Sequence, residues 1–414
     1  MSILRTAWRT GRSLAKLAPS LLSPAASRNT SLTCMTLDFD DVQVVKTWLR
    51  NRRQWNDAQT VPAFATEFAR WNGSEFACAF RSCREALSAC VDALKLHPGD
   101  EVILPGYTCV AVPNVFHFSG IQTVYSDIEL DTFGLDASKV ASKITPRTRA
   151  ILFQHLYGLV SRDTSNIAAL ARQHGLWLIE DCAHATGAEY KGRKVGNFGD
   201  VAVFSSEQSK VFNTNQGGLA ATNNREIAER LREVWRRSAE PVAEFTEDQL
   251  YNILLNFEQW KHPQRRWRSE LAEIRFGSRR VVSTTPHEMQ GIRPPDYGRR
   301  MSPPIAALGL NQLRKVDRYN EQRRRQAQRW DDWCGRHGYA APVVLKDSTP
   351  VFLRYPVLVE PERKKDPSWA KRELGIELGV WFVSHIHPAD WPVANCPRAT
   401  EAVQRCVNFP SLII

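Results

Sequence analysis

No apolar run in this 414-residue chain reaches the roughly 18 residues that a membrane-spanning helix needs, which excludes an integral helical membrane protein. Internal repeats are absent. The nine cysteines are odd in number and never stand as Cys-x-x-Cys, so neither a disulfide framework nor a zinc cluster is indicated, and no metal is expected. A reducing, cytoplasmic setting fits that usage. Residues 1–37 contain no acidic side chain at all. The whole chain is 43% hydrophobic and 24% charged, the balance of a globular chain rather than a disordered or fibrous one, and long enough for two or three domains.

The net charge of +11 is concentrated in two places. Arg5, Arg9, Arg12 and Lys16 follow i, i+4, i+7, i+11 and form one helical stripe. Such a basic amphipathic helix suits peripheral contact of residues 1–20 with an anionic (inner) membrane; the same pattern describes an organellar transit peptide. A third reading makes Met35 the true start, because composition changes abruptly there. The second concentration is Lys261, Arg265, Arg266, Arg268, Arg275, Arg279 and Arg280. It suits either a diphosphate clamp or a solvated helical face. Trp260 and Trp267 lie among these cations, but no nucleic-acid motif accompanies them, so nucleic acid is not an expected partner.

Short β-rich runs alternate with helical patterns from Ala77 to Thr222, which predicts an α/β fold with a parallel sheet. Strands are expected at 101–104, 123–127, 150–156, 176–180, 201–205 and 218–222, and helices at 82–96, 163–174 and 223–237. Ser82 and Glu85 stand at capping-box spacing. Residues 239–300 read as a helical insertion and 301–333 as a long helical region. Segments 351–359 and 379–383 suggest a small C-terminal α/β domain. The expected division is a basic extension 1–37, a large domain 38–320 and a small domain 321–414.

Four clusters fall at the ends of these elements, where open α/β sheets bind ligands. They are Arg81-Ser82-Cys83-Arg84 at a helix N-terminus, Glu180-Asp181-Cys182-Ala183-His184 ending a strand, Ser205 to Lys210 ending another, and Gly217-Gly218. A phosphate cradle, a strand-end carboxylate and a lysine in that order suit pyridoxal phosphate. The lysine would bond the aldehyde, and the aspartate would keep the pyridine nitrogen protonated. Taken singly, the aspartate is equally a helix cap and the lysine a solvated surface group.

Together with Pro98 to Pro105, Tyr107-Thr108, Ile144 to Ala150, His155-Leu156-Tyr157-Gly158, Tyr190 to Gly196, Arg300-Met301 and Ala306 to Leu313, these clusters resemble the DegT/DnrJ/StrS family of sugar aminotransferases, from roughly Pro62 onward. The resemblance implies a fold-type I transferase, with a mainly parallel seven-stranded sheet, a small C-terminal domain and a homodimer sharing its active sites. It makes Lys210 the covalent anchor and proton carrier, Asp181 the pyridine partner and His184 a neighbour of the ring. Ser82, Cys83, Arg84, Cys109 and Ser205 would also contact the cofactor, and His155, Tyr157 and Arg300 the substrate. The activity implied is transfer of an amino group from an amino acid such as glutamate to a keto-sugar, nucleotide-linked, in polysaccharide or secondary-metabolite biosynthesis. Lys210 argues against the family's dehydratase branch, where histidine replaces it.

Departures surround the cofactor. Ser-Gly-Thr becomes Ser82-Cys83-Arg84, where Arg84 either replaces the lost hydroxyl or faces outward. Cys109 stands where many members place an aromatic ring. Asn-x-Arg-Met becomes Gly298-Arg299-Arg300-Met301, and Glu207 stands where histidine is frequent. They motivate one rival, a non-catalytic binding or regulatory protein. A second rival keeps the transfer but exchanges the substrate for a cyclitol or a lipid-linked carbonyl, the lipid version motivated by the N-terminal basic helix.

Overall fold

A computed structural model of the chain describes residues 36–412 apart from 262–265 and 277–278. The basic stripe at residues 5–16 lies outside the described residues. Within them, no helix is long and apolar enough to cross a membrane.

Seven strands form the central sheet: β1 Phe76–Phe80, β2 Glu101–Pro105, β3 Gln122–Ser126, β4 Thr148–Gln154, β5 Trp177–Asp181, β6 Val201–Ser205 and β7 Gly218–Thr222. Their spatial order is β1-β7-β6-β5-β4-β2-β3. Only β7 runs antiparallel to its neighbours. Every residue of β2, β6 and β7 is buried, as expected of strands covered on both faces by helices. The parallel arrangement brings the C-terminal ends of β4, β5 and β6 to one edge, and with them Gln154, Asp181 and Ser205.

The helix expected from Ser82 begins at Cys83 and ends at Ala93, short of Leu96, because Lys95 turns left-handed at φ 55°. Its capping box does not form. Glu85 instead takes three hydrogen bonds from Arg81, the shortest at 2.6 Å, and one from the Gly298 N–H at 3.2 Å.

The region 301–333 is two helices, Pro303–Leu313 and Val316–His337, and the second crosses the boundary expected at 320. Val316 packs in the core beneath the sheet, whereas Trp330 and Trp333 pack in the C-terminal core, so this helix is the spine joining the two. The insertion is likewise less separate than expected. Its helix Ala243–Lys261 puts Leu250, Ile253 and Phe257 into the first core. In the C-terminal region Tyr355–Leu358 pairs antiparallel with Cys406–Phe409. Segment 379–383 is not a strand; it makes a single bridge, Gly379 to Asn408.

Candidate active site

The first part of the site is a backbone cradle. Ser82 is extended, and the helix that follows directs its first N–H groups toward the sheet edge, where β7 begins. The approach is close enough that a Cβ on Gly218 would lie 2.3 Å from the Cys83 nitrogen. Gly218→Ala is therefore expected to cost about 1–3 kcal/mol by overpacking and to splay the cradle. Chemical denaturation together with cofactor titration checks both effects.

Asp181, His184 and Lys210 meet beside this cradle in a cavity of about 390 Å³ that Ser82, Ser205 and Trp381 also line. Lys210 Nζ stands 2.8 Å from His184 Nε2 and 4.5 Å from the centroid of the Trp381 ring. His184 stacks on that indole at 4.3 Å. Its Nδ1 accepts the Tyr157 backbone N–H at 3.3 Å. Burial, with Lys210 and Arg354 nearby, holds His184 well below the ordinary imidazole range. Burial pushes the Asp181 carboxyl up, partly offset by the Ala183 N–H, Lys210 and His155.

His387 reaches the same cavity, and burial, then Lys210 and Lys364, bring it down to about 4. A ring kept neutral in the fold must take up a proton when the chain unfolds in acid. Its stabilising contribution is therefore complete above the unfolded value of about 6.5 and is lost as pH falls toward 4. His387→Gln is expected to flatten the loss of urea resistance between pH 7 and pH 4.5. An unchanged slope would dismiss the role.

Four residues expected at the ligand lie otherwise than the sequence suggested. Arg84 borders the cavity, but its guanidinium is buried against Glu288 and the Ser283 carbonyl. His155 is fully buried with both ring nitrogens committed, Nε2 to Glu180 at 3.2 Å and Nδ1 to the Ser161 N–H at 3.1 Å. It supports the strand end that carries Asp181 and offers no nitrogen to a substrate. Tyr157 is fully buried outside the cavity. Its left-handed backbone, φ 58°, goes with a ring turned to the Tyr107 hydroxyl at 2.8 Å. Arg300 pairs with Glu240, stacks on Trp235 and lines a separate cavity of about 460 Å³. Cys109 does line the Lys210 cavity, on a two-residue strand paired with Ile386–His387.

Sequence reasoning missed Trp381, His387, Ser283 and Thr284, all of which line the cavity. Trp381 stands in segment 379–383, read only as part of a small α/β domain, and no local pattern marks a ring that meets Lys210 from 171 residues away. Ligand atoms of His155, Glu180 and Cys182 lie within 4.8 Å of one another. The Glu180 carboxylate, however, already accepts from His155 and from the N–H groups of Gly196, Phe198 and Gly199, which fills its acceptor capacity.

The donor set fits pyridoxal phosphate. A carboxylate whose charge is disfavoured by burial calls for a cationic N–H partner, which a protonated pyridine supplies. The cradle and the Ser82 and Ser205 hydroxyls suit a phosphate, and Lys210 suits the aldehyde.

Comparison with known proteins agrees. The sequence pattern of the DegT/DnrJ/EryC1/StrS aminotransferase family matches residues 36–413, so the likeness begins well before Pro62. The chain is 28% identical over 362 residues to the spore coat polysaccharide biosynthesis protein SpsC of Bacillus subtilis, covering 84% of each. It is 30% identical over 355 residues to L-glutamine:2-deoxy-scyllo-inosose aminotransferase of Streptomyces kanamyceticus, covering 84% of this chain and 67% of that one. It is 41% identical over 169 residues to GDP-perosamine synthase of Caulobacter vibrioides, covering 41% and 45%. Among solved structures, the aminotransferase TlmJ from Streptoalloteichus hindustanus superposes with a TM-score of 0.71 at 24% identity, over 92% of this chain and 93% of that one.

Proposed function

Because this chain belongs to the DegT/DnrJ/EryC1/StrS aminotransferase family, whose members use pyridoxal phosphate, we propose that it moves an amino group from glutamate or glutamine to the keto group of a nucleotide-linked sugar. The observation that carries the chemistry is the 2.8 Å contact of Lys210 with a neutral His184, beside half-buried Asp181 in one cavity. Membership in an enzyme family disfavours the non-catalytic rival. The sugar rests on relatives named for perosamine and aminated glucosamine synthesis.

Pyridoxal phosphate, when bound, supplies the electron sink and carries the nitrogen between two half-reactions. In this reading Asp181 binds the pyridine nitrogen and keeps its proton in place. Ser82, Ser205 and the N–H groups at Cys83 and Arg84 bind the phosphate. Lys210 takes the donor's Cα proton at Nζ and returns it. His184, fixed by the Tyr157 N–H and the Trp381 ring, orients that amine, and the indole excludes water. Cys109 takes a place where an aromatic ring is frequent, and stacked His184 and Trp381 provide the aromatic surface instead. The proposal includes a homodimer in which Arg300, which lines a different cavity from its own chain's Lys210, serves the partner's site.

A second reading, amination of a keto-cyclitol, has its own support. Three relatives are named for 2-deoxy-scyllo-inosose. In addition, Lys261, Arg279 and Arg280 of the expected diphosphate clamp are ion-paired to Asp38, to Glu247 and Asp248, and to Glu273. The test is to load the enzyme with amino groups from glutamate or glutamine and follow return of the cofactor's visible absorbance. A nucleoside-diphosphate keto-sugar is expected to restore it faster than 2-deoxy-scyllo-inosose. The reverse order selects the cyclitol, and no response to either rejects both.

A further inference from the structure

The residue that replaces the phosphate-loop threonine is tied to a distant segment. Arg84 donates through one guanidinium nitrogen to Glu288 and through the other to the Ser283 carbonyl, 204 and 199 residues away. Glu288 is 3% exposed, and its second oxygen accepts from the Thr285 N–H at 2.8 Å and the Thr285 hydroxyl at 3.0 Å. Two more ties bind this stretch to the rest of the large domain, and a third holds Tyr297, just after it, to the Arg84 turn. Asn114 donates to the Glu288 carbonyl at 2.7 Å, Gln216 to the Val282 carbonyl at 2.9 Å, and Tyr297 to the Arg84 carbonyl at 3.1 Å.

The result is a strap, residues 282–289, drawn across the cavity beside the Ser82–Arg84 turn. Val282, Ser283, Thr284 and Met289 all line that cavity. Ser283 and Thr284 are half-buried there, and among the described residues neither hydroxyl has a protein hydrogen-bond partner. The Arg84 charge, by contrast, is matched by Glu288, so this guanidinium is not the phosphate ligand its position suggests.

We infer that Ser283 and Thr284 are phosphate-binding residues of the cofactor site, with Arg84 and Glu288 the positioning pair that latches their strap over it. The exchange has a physical logic. A phosphate in a buried site needs more donors than one helix N-terminus offers. A threonine in the helix's first turn would supply one hydroxyl directly. Arginine at that place recruits two hydroxyls from the insertion and closes the cavity over them. Pairing also keeps the Glu288 carboxylate from repelling the phosphate, which an unmatched buried anion would do.

This inference depends on the cofactor and not on which ketone is aminated. The test compares pyridoxal phosphate with pyridoxal, binding each to the cofactor-depleted full chain and following tryptophan fluorescence. Ser283→Ala with Thr284→Ala is expected to weaken pyridoxal phosphate about tenfold or more, the usual loss for hydrogen bonds to a charged group, while leaving pyridoxal unchanged. Arg84→Met should give the same phosphate-specific loss and open residues 282–289 to limited proteolysis, and Arg84→Lys should restore part of both. Equal losses for the two ligands, or none, would overturn the strap's role. If the wild-type chain itself bound pyridoxal phosphate no better than pyridoxal, the cofactor site, and not the strap alone, would be wrong.

Discussion

Lys210→Ala is expected to lower kcat by about four orders of magnitude, the upper range for loss of a positioned proton carrier, while the cavity still binds the cofactor. In the proposed mechanism the amine 2.8 Å from His184 Nε2 moves the proton, and among the described residues no other lysine lines the cavity. His184 cannot substitute as a base for the same proton. Its Nδ1 already accepts from the Tyr157 N–H, and burial holds the ring well below the ordinary imidazole range. Stopped-flow absorbance with the amino donor separates the steps: the variant should still bind donor, but the spectral change that follows proton removal should slow by that factor. A variant within tenfold of wild type would remove Lys210 from this role.

Asp181→Asn is the second large effect. The amide keeps the side chain's shape and its acceptor for the Ala183 N–H, so the fold should hold. In the proposed pairing, what disappears is the negative charge opposite the pyridine nitrogen. Truncating one partner of a buried charge pair costs about 2–5 kcal/mol, which predicts a fall of about 30-fold to several thousand-fold in kcat/KM. Burial already raises the proton affinity of this carboxyl, so the variant should be close to neutral, or slightly stabilising, for the chain without cofactor. Thermal melts with and without pyridoxal phosphate check the contrast. A variant that melts like wild type in both states, with unchanged kcat/KM, would end the proposed pairing.

Much of this site was readable from the sequence because its residues sit at the ends of strands. Hydrophobic periodicity locates a strand, and a parallel sheet delivers every strand's C-terminal end to one edge. Asp181, Ser205 and Lys210 could thus be placed together before any coordinates existed. The errors share another cause. The motif around His155 and Tyr157 was read as substrate-facing, yet one left-handed residue at 157 sends the ring to Tyr107 and leaves only the backbone N–H for His184. Arg84 was read as an ion for the phosphate or for solvent, and neither reading included Glu288. Trp381 lies in the small C-terminal domain, where nothing local marks it as a neighbour of Lys210.

The sequence by itself determined the α/β order, the strand-end chemistry and the family, since these depend on local periodicity and on residue types at short spacing. Only the tertiary structure decided which side chains enter the cavity. That choice is made by contacts between segments far apart in the chain: Lys210 with Trp381, Arg84 with Glu288, Gly218 with Cys83. Such contacts follow from burial and charge pairing across the whole fold, energies that no short stretch of sequence carries.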